Sequence, residues 1–294
     1  MHWMRWGALL WTGLALGATA SLGKLGAVAG PWPEEVHLLG HIVLCGGLAA
    51  AVAQGAPGSS RARAAWGLAA AWMLGIGIEG VQARFHPVWR EAVFDLGVDT
   101  LGALLGLAVW GVRRQEVGQG ISDGLHPLWV VPVGLLASVG PRWTLIAVVC
   151  QVPALVLWAL GTWRGWWHRD VPTRGQRPAL FALGALGAWV LALEAYWRHQ
   201  AVESLSALCL VGALVGTAAT AAGAKLSGHV GLPAALGLWA VGQGYRVGVL
   251  WLGVALVLTV ARWGARRHTA LEIGGAWGLA WLLSVVAWNP AAAA

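Results

Sequence analysis

VGVLWLGVALVLTVARWGARRHTALEIGGAWGLAWLLSVVAWN, residues 247–289, places two apolar runs on either side of the basic turn from Arg262 to His268. A helix needs about 20 mostly apolar residues to cross the hydrocarbon layer of a bilayer. Each run approaches that length, and the charges are confined to the turn and its flank. The reading is a pair of membrane helices joined by a short cationic connection.

Working outward, the same alternation fills the chain of 294 residues. Helices are expected near 4–23, 36–55, 64–83, 91–112, 126–140, 143–162, 179–198, 203–222, 229–243, 247–263 and 269–289, the fifth and ninth being short for a full span. The fold class is therefore all-α: a polytopic integral membrane bundle of about eleven transmembrane helices. Composition agrees, because 58% of residues are hydrophobic and only 11% are charged, against roughly 25% charged in soluble domains. The 43 Gly and 22 Trp suit helices that pack through small residues and carry indoles at the headgroup level.

A net charge of +7 raises the question of nucleic acid. The arginines are scattered through short loops without a basic stripe or groove motif, which excludes that partner. Cys45, Cys150 and Cys209 each lie in an apolar segment with no disulfide or metal-ligand spacing, and they read as packing residues. No metal and no cofactor is expected. Residues 1–21 resemble a signal peptide, but the hydrophobic segments that follow favour a retained first helix in a bacterial inner (plasma) membrane.

The most polar break, RRQEVGQGISDGLH at 113–126, divides the chain into two modules, 1–115 and 116–294. In the first, His37 and His41 open one helix, Glu79 and Gln82 close the next, and Arg90, Asp95 and Asp99 surround the start of the third. Helical spacing lets Glu79 with Gln82, and Asp95 with Asp99, point into one inter-helix space. Acidic groups near hydrocarbon are costly unless paired or hydrated, so this cluster is either a ligand site or an ion-pair network through Arg90 that pins three helices.

Residues GHIVLCGGLA (40–49) and GIEGVQARFHPVWREAVFDLGVDTLGALLG (77–106) resemble the VanZ-like family of bacterial membrane proteins. That family's pattern is Glu-x-x-Gln, a loop with Pro and Arg, then Asp-x-x-x-Asn before a Gly-rich helix. Asp99 stands where the family has Asn. The resemblance implies a four-helix membrane module linked to low-level glycopeptide-antibiotic resistance, with no established activity.

The second module carries HRDVPTRGQRP (168–178), KLSGH (225–229) and ARWGARRHTALE (261–272). The parity of the expected spans brings all three to one membrane face. Arg and Lys bind phosphate through charge-assisted hydrogen bonds, and a histidine nucleophile needs a carboxylate on its other ring nitrogen. Glu272, four residues after His268, is spaced for that role, and His229 suits a general acid.

These segments resemble the type 2 phosphatidic acid phosphatase superfamily, whose motifs are Lys-x6-Arg-Pro, Pro-Ser-Gly-His and Ser-Arg-x5-His-x3-Asp. Ser227-Gly228-His229 and Arg262-x5-His268-x3-Glu272 follow the second and third motifs, and Arg177-Pro178 is what matches the first. The resemblance implies His268 as phosphohistidine nucleophile, Glu272 as its orienting carboxylate, His229 as general acid and Arg262 as phosphoryl clamp. Ser227, Lys225, Arg174 and Arg177 complete the expected phosphate-binding set. Leu226, Ala261 and Glu272 depart from the family's Pro, Ser and Asp, and Asp170 occupies the position of the first-motif Lys. The implied substrate is a membrane lipid or lipid-linked phosphate, hydrolysed without metal. A non-catalytic lipid-phosphate-binding, transport or antibiotic-resistance protein is the alternative.

Overall fold

The computed structural model describes residues 34–82, 89–166 and 226–286, with scattered helical positions between 186 and 222. The described residues form helices and no strand. In order these are α1 (Glu34–Gly55), α2 (Ser60–Gln82), α3 (Trp89–Trp110), α4 (Gln115–Gly124), α5 (Pro127–Trp163), α6 (Gly228–Gly242), α7 (Val247–Gly264) and α8 (Ala270–Val286).

Among the described residues, four segments are long and apolar enough to cross a bilayer: Leu38–Gly55, Glu91–Trp110, Arg142–Trp163 and Val247–Gly264. By length and composition they mark the chain as a membrane protein. The outward face of α5 supports this physically, since Leu145, Val149, Val152, Val156 and Leu160 form an exposed apolar stripe at helical spacing. In water such a stripe would be polar.

Two differences from the expected segmentation stand out. The helices expected at 126–140 and 143–162 are one helix, because Gly140-Pro141-Arg142 is helical throughout. A single proline removes one backbone donor and one i→i−4 bond, and apolar turns on both sides can carry the helix across it. The polar break at 113–126 also contains a helix absent from the expected segmentation, α4, which buries Val117, Gly118 and Ser122. The expected helices near 4–23, 179–198 and 203–222 lie wholly or largely outside the described residues.

The chain divides into two compact units. The first holds the described residues up to Leu125 together with Leu256–Arg267, and the second those of His126–Ala255 and from His268 onward.

In the first unit α1, α2 and α3 pack on one another, with α4 against α2 and α3. Their core joins Cys45, Leu48, Ala49, Ala71, Leu74, Ile78, Ala103 and Leu107. Glycines set the spacing of α1 and α3: a methyl group on Gly46 would stand 2.7 Å from the carbonyl oxygen of Gly102, and one on Gly102 would stand 2.7 Å from Cα of Ile42. Gly106, one turn beyond Gly102, lies still closer, against the Gly46 carbonyl. Such small-xxx-small pairs let membrane helices approach closely enough for dispersion to hold them. The C-terminal end of α1 is closed by Arg63, whose Nε donates to the Ala53 carbonyl at 2.7 Å and whose Nη2 donates to that of Gln54. Arg63 and Arg114 both lie over the Trp110 ring, at 5.4 and 4.2 Å from its centroid.

In the second unit α6 packs against α5 and α8, around a core that includes Trp143, Leu236, Trp239, Trp251, Ala255, Ala280 and Leu283. The start of α6 lies against the second turn of α8. A methyl group on Gly275 would meet Cδ2 of Leu226 at 2.9 Å, and one on Gly231 would touch Cβ of Ala276 at 3.5 Å.

Replacing Gly102 by Leu should separate α1 from α3 and lower the thermal midpoint of the detergent-solubilised protein by several degrees. Gly77→Ala, in α2 where a Cβ meets nothing within 4 Å, should leave the midpoint unchanged or slightly raised. Equal effects of the two changes would contradict the glycine-mediated contact.

Candidate functional site

Three helices of the first unit each contribute residues at i,i+4 spacing to one polar cluster. His41 and Cys45 come from α1, Gly75 and Glu79 from α2, and Asp95 and Asp99 from α3. Asp99 is fully buried. Its Oδ1 lies 2.8 Å from His41 Nδ1 and accepts from the Cys45 thiol at 3.1 Å. Its Oδ2 has no hydrogen-bond partner among the described residues, and neither does Oε1 of Glu79. Gly75 makes room for the carboxylate, since a methyl group there would stand 2.5 Å from Asp99 Oδ2.

His41 is thus the ionic partner that the structure gives Asp99. The side chains of Arg90 and Gln82 lie outside the described residues, as does that of His37. Asp95 is half-buried one turn before Asp99. Cys45 packs in the core as expected of a buried cysteine, but it also holds the carboxylate, a role that apolar surroundings in the sequence do not signal.

In the second unit, His268 is buried and its Nδ1 lies 3.2 Å from Glu272 Oε2. A local motif orients Glu272. The backbone N–H of Thr269 donates to the same Oε2 at 3.0 Å, and the N–H of Glu272 donates to Thr269 Oγ1 at 3.3 Å. This is a capping box at the start of α8, readable in sequence as Thr-x-x-Glu before an apolar run. One carboxylate oxygen therefore closes the helix end and meets the imidazole.

Ser227 is buried at the N-cap position of α6, and its hydroxyl has no hydrogen-bond partner among the described residues. His229 sits in the first turn of α6, its ring edge-on to His126 with centroids 4.8 Å apart. His126 also lies 6.2 Å from the Trp158 ring. Because the start of α6 packs beside the second turn of α8, His229 and the His268–Glu272 pair belong to the same end of that helix pair. Lys225, Arg174 and Arg177 lie outside the described residues.

Arg262 belongs to the first unit, where it is buried and donates from Nη1 to Ser122 Oγ at 3.1 Å. Around this bond α4 lies close against the end of α7: a methyl group on Gly118 would stand 2.7 Å from the Ala261 carbonyl, and Arg267 Nε donates to Gln119 Oε1 at 2.9 Å. Sequence reading missed Ser122, Gln119 and His126, all inside the polar break. Val117 and Ile121 at i,i+4 with Gly118 and Ser122 beside them form a short helical stripe that could have revealed α4.

Ser122→Ala should lower the thermal stability by about 1.5–3 kcal/mol, the range for a hydrogen bond to a charged group. In an Arg262→Ala background the same change should cost much less, and an additive double-mutant cycle would dissolve the pairing. Comparison with protein-family models, with curated proteins and with solved structures finds no match for this chain.

Proposed function

We propose that this protein is a bacterial inner-membrane enzyme of about eleven helices that removes phosphate from a phosphorylated lipid, in the manner of the type 2 phosphatidic acid phosphatases it resembles. The observation that carries the reading is the buried His268 Nδ1 at 3.2 Å from Glu272. A carboxylate on Nδ1 fixes the tautomer and stabilises positive charge on the ring, which makes Nε2 the attacking nitrogen.

In this mechanism the Nε2 lone pair forms the N–P bond as the P–O bond to the lipid breaks. His229, whose ring lies edge-on to that of His126, gives a proton to the departing oxygen. Water, giving a proton back to His229, then attacks phosphorus and breaks the N–P bond, releasing inorganic phosphate and restoring both histidines. Lys225, Arg174 and Arg177, with the Ser227 hydroxyl, are the proposed donors to the phosphoryl oxygens. The polyprenyl carriers of the cell envelope are one class of lipid phosphate or diphosphate that would fit.

A second reading draws on Arg262. Its guanidinium holds Ser122 of α4, which favours an anchoring role over a phosphoryl clamp. With Asp170 in place of the first-motif lysine, the module would then bind or move a lipid phosphate without turnover, and the first module's VanZ-like character would tie that binding to antibiotic resistance.

Purified full-length protein in detergent should release phosphate from phosphatidic acid or a polyprenyl diphosphate with no added magnesium. His268→Ala should abolish release, and His229→Ala should slow it by about 10²–10⁴-fold, the usual contribution of a positioned acid. Release that survives His268→Ala would overturn the phosphohistidine mechanism. Co-purifying lipid phosphate without any release would favour the binding protein.

A further inference from the structure

We propose that His41, Glu79 and Asp99 form a binding site for a first-row divalent cation, with Zn²⁺ the ion whose chemistry fits best. This site lies in the first unit and does not depend on the lipid-phosphate reading.

Among the described residues these three form a group whose ligand atoms all lie within 4.8 Å of one another. Zinc bonds to nitrogen and oxygen at roughly 2.0–2.2 Å, so donors around one ion stand about 3.5 Å apart. Side-chain adjustment within the group would bring its donors to that spacing, and Glu79 is the half-buried member while His41 and Asp99 are buried.

The electrostatics independently ask for a cation. Two carboxylates share an apolar three-helix core, and each presents a buried oxygen, Asp99 Oδ2 and Glu79 Oε1, with no hydrogen-bond partner among the described residues. Asp99 has no exposure at all. Burying a carboxylate oxygen without a donor is costly, and placing a second carboxylate beside it compounds the cost. His41 can balance one negative charge, through the contact at 2.8 Å. A divalent ion balances both and satisfies both orphaned oxygens.

The surroundings are organised around Asp99. The Cys45 thiol holds Oδ1, while Oδ2 faces the bare Cα of Gly75, one turn before Glu79. Outer groups that hold a ligating carboxylate in this way are a regular part of metal sites. The hydrogen bond between His41 and Asp99 contains the proton that the ion displaces to solvent on binding. A mixed nitrogen and oxygen donor set suits Zn²⁺ over Mg²⁺, which prefers an all-oxygen, largely hydrated sphere. The ligands come from three helices at positions 41, 79 and 99, so no short spacing in the sequence announces them.

The test uses full-length protein in detergent, stripped with a chelator, dialysed and titrated with Zn²⁺ by calorimetry. Asp99→Asn and Glu79→Gln are near-isosteric, and thermal unfolding checks that each is folded. We expect about one Zn²⁺ per chain, at least tenfold weaker binding in either variant, and a Zn²⁺-dependent rise in thermal midpoint seen in the parent alone. Absence of saturable binding, or binding unchanged in both variants, overturns the site. Equal affinity for Mg²⁺ overturns the transition-metal assignment. If Asp99→Asn fails to fold, the Co²⁺ absorption spectrum decides: ligand-field bands in the parent that vanish in Glu79→Gln support the site, and their absence from the parent rejects it.

Discussion

The close approach of α1 and α3 at Gly46, Gly102 and Gly106 is the constraint on which the first unit rests. Between helices in lipid there is little hydrophobic gain, because the tails are as apolar as the side chains, so association depends on dispersion at short range and on interhelical hydrogen bonds. The three glycines supply the short range. They also set the position of the polar cluster: His41 precedes Ile42, on which Gly102 packs, and Asp99 lies three residues before Gly102 on α3. A wider crossing would carry Asp99 out of reach of His41 and Cys45 together. The same backbone contact that holds the helices thus makes a fully buried carboxylate tolerable.

In the second unit the corresponding role falls to a helix end. Thr269 and Glu272 close the first turn of α8 by satisfying each other's backbone donors, and in doing so they hold a carboxylate beside His268. Packing of α8 along α6, with Leu226 over Gly275 and Gly231 beside Ala276, keeps His229 at the same end. Local capping and one helix–helix contact are enough to bring His229, His268 and Glu272 to one end of the α6–α8 pair. Arg262 shows the opposite case. The resemblance to the type 2 phosphatidic acid phosphatases implies a phosphate contact for it, while the fold gives it a hydroxyl partner on a helix inside the polar break at 113–126.

Much of the fold was legible because hydropathy in a membrane protein is a direct constraint on each segment. The described bounds of α1, α2, α3, α6, α7 and α8 fall within a few residues of the apolar runs. Where reading failed, a local rule met a stronger non-local or cooperative one. Gly140-Pro141-Arg142 has the composition of a break, yet the continuous apolar helix on both sides carries through it. Residues 115–124 have the composition of a loop, yet burial of Val117, Gly118 and Ser122 makes them a helix.

By itself, then, the sequence determined the class of the molecule, the placement of most of the described helices, and the candidates for chemistry: His41, Glu79 and Asp99 in one module, His229, His268 and Glu272 in the other. Each of these follows from solvation, since a run of apolar residues or a charge within it has a free-energy cost that depends on the segment alone. Partnership was decided only by the tertiary structure. That Asp99 bonds His41 and Cys45, that Arg262 bonds Ser122, and that His126 lies against His229 depends on how the helices pack, and those contacts join residues far apart in the chain. Spacing along one helix can place two groups on a face, but only packing between helices chooses what stands opposite.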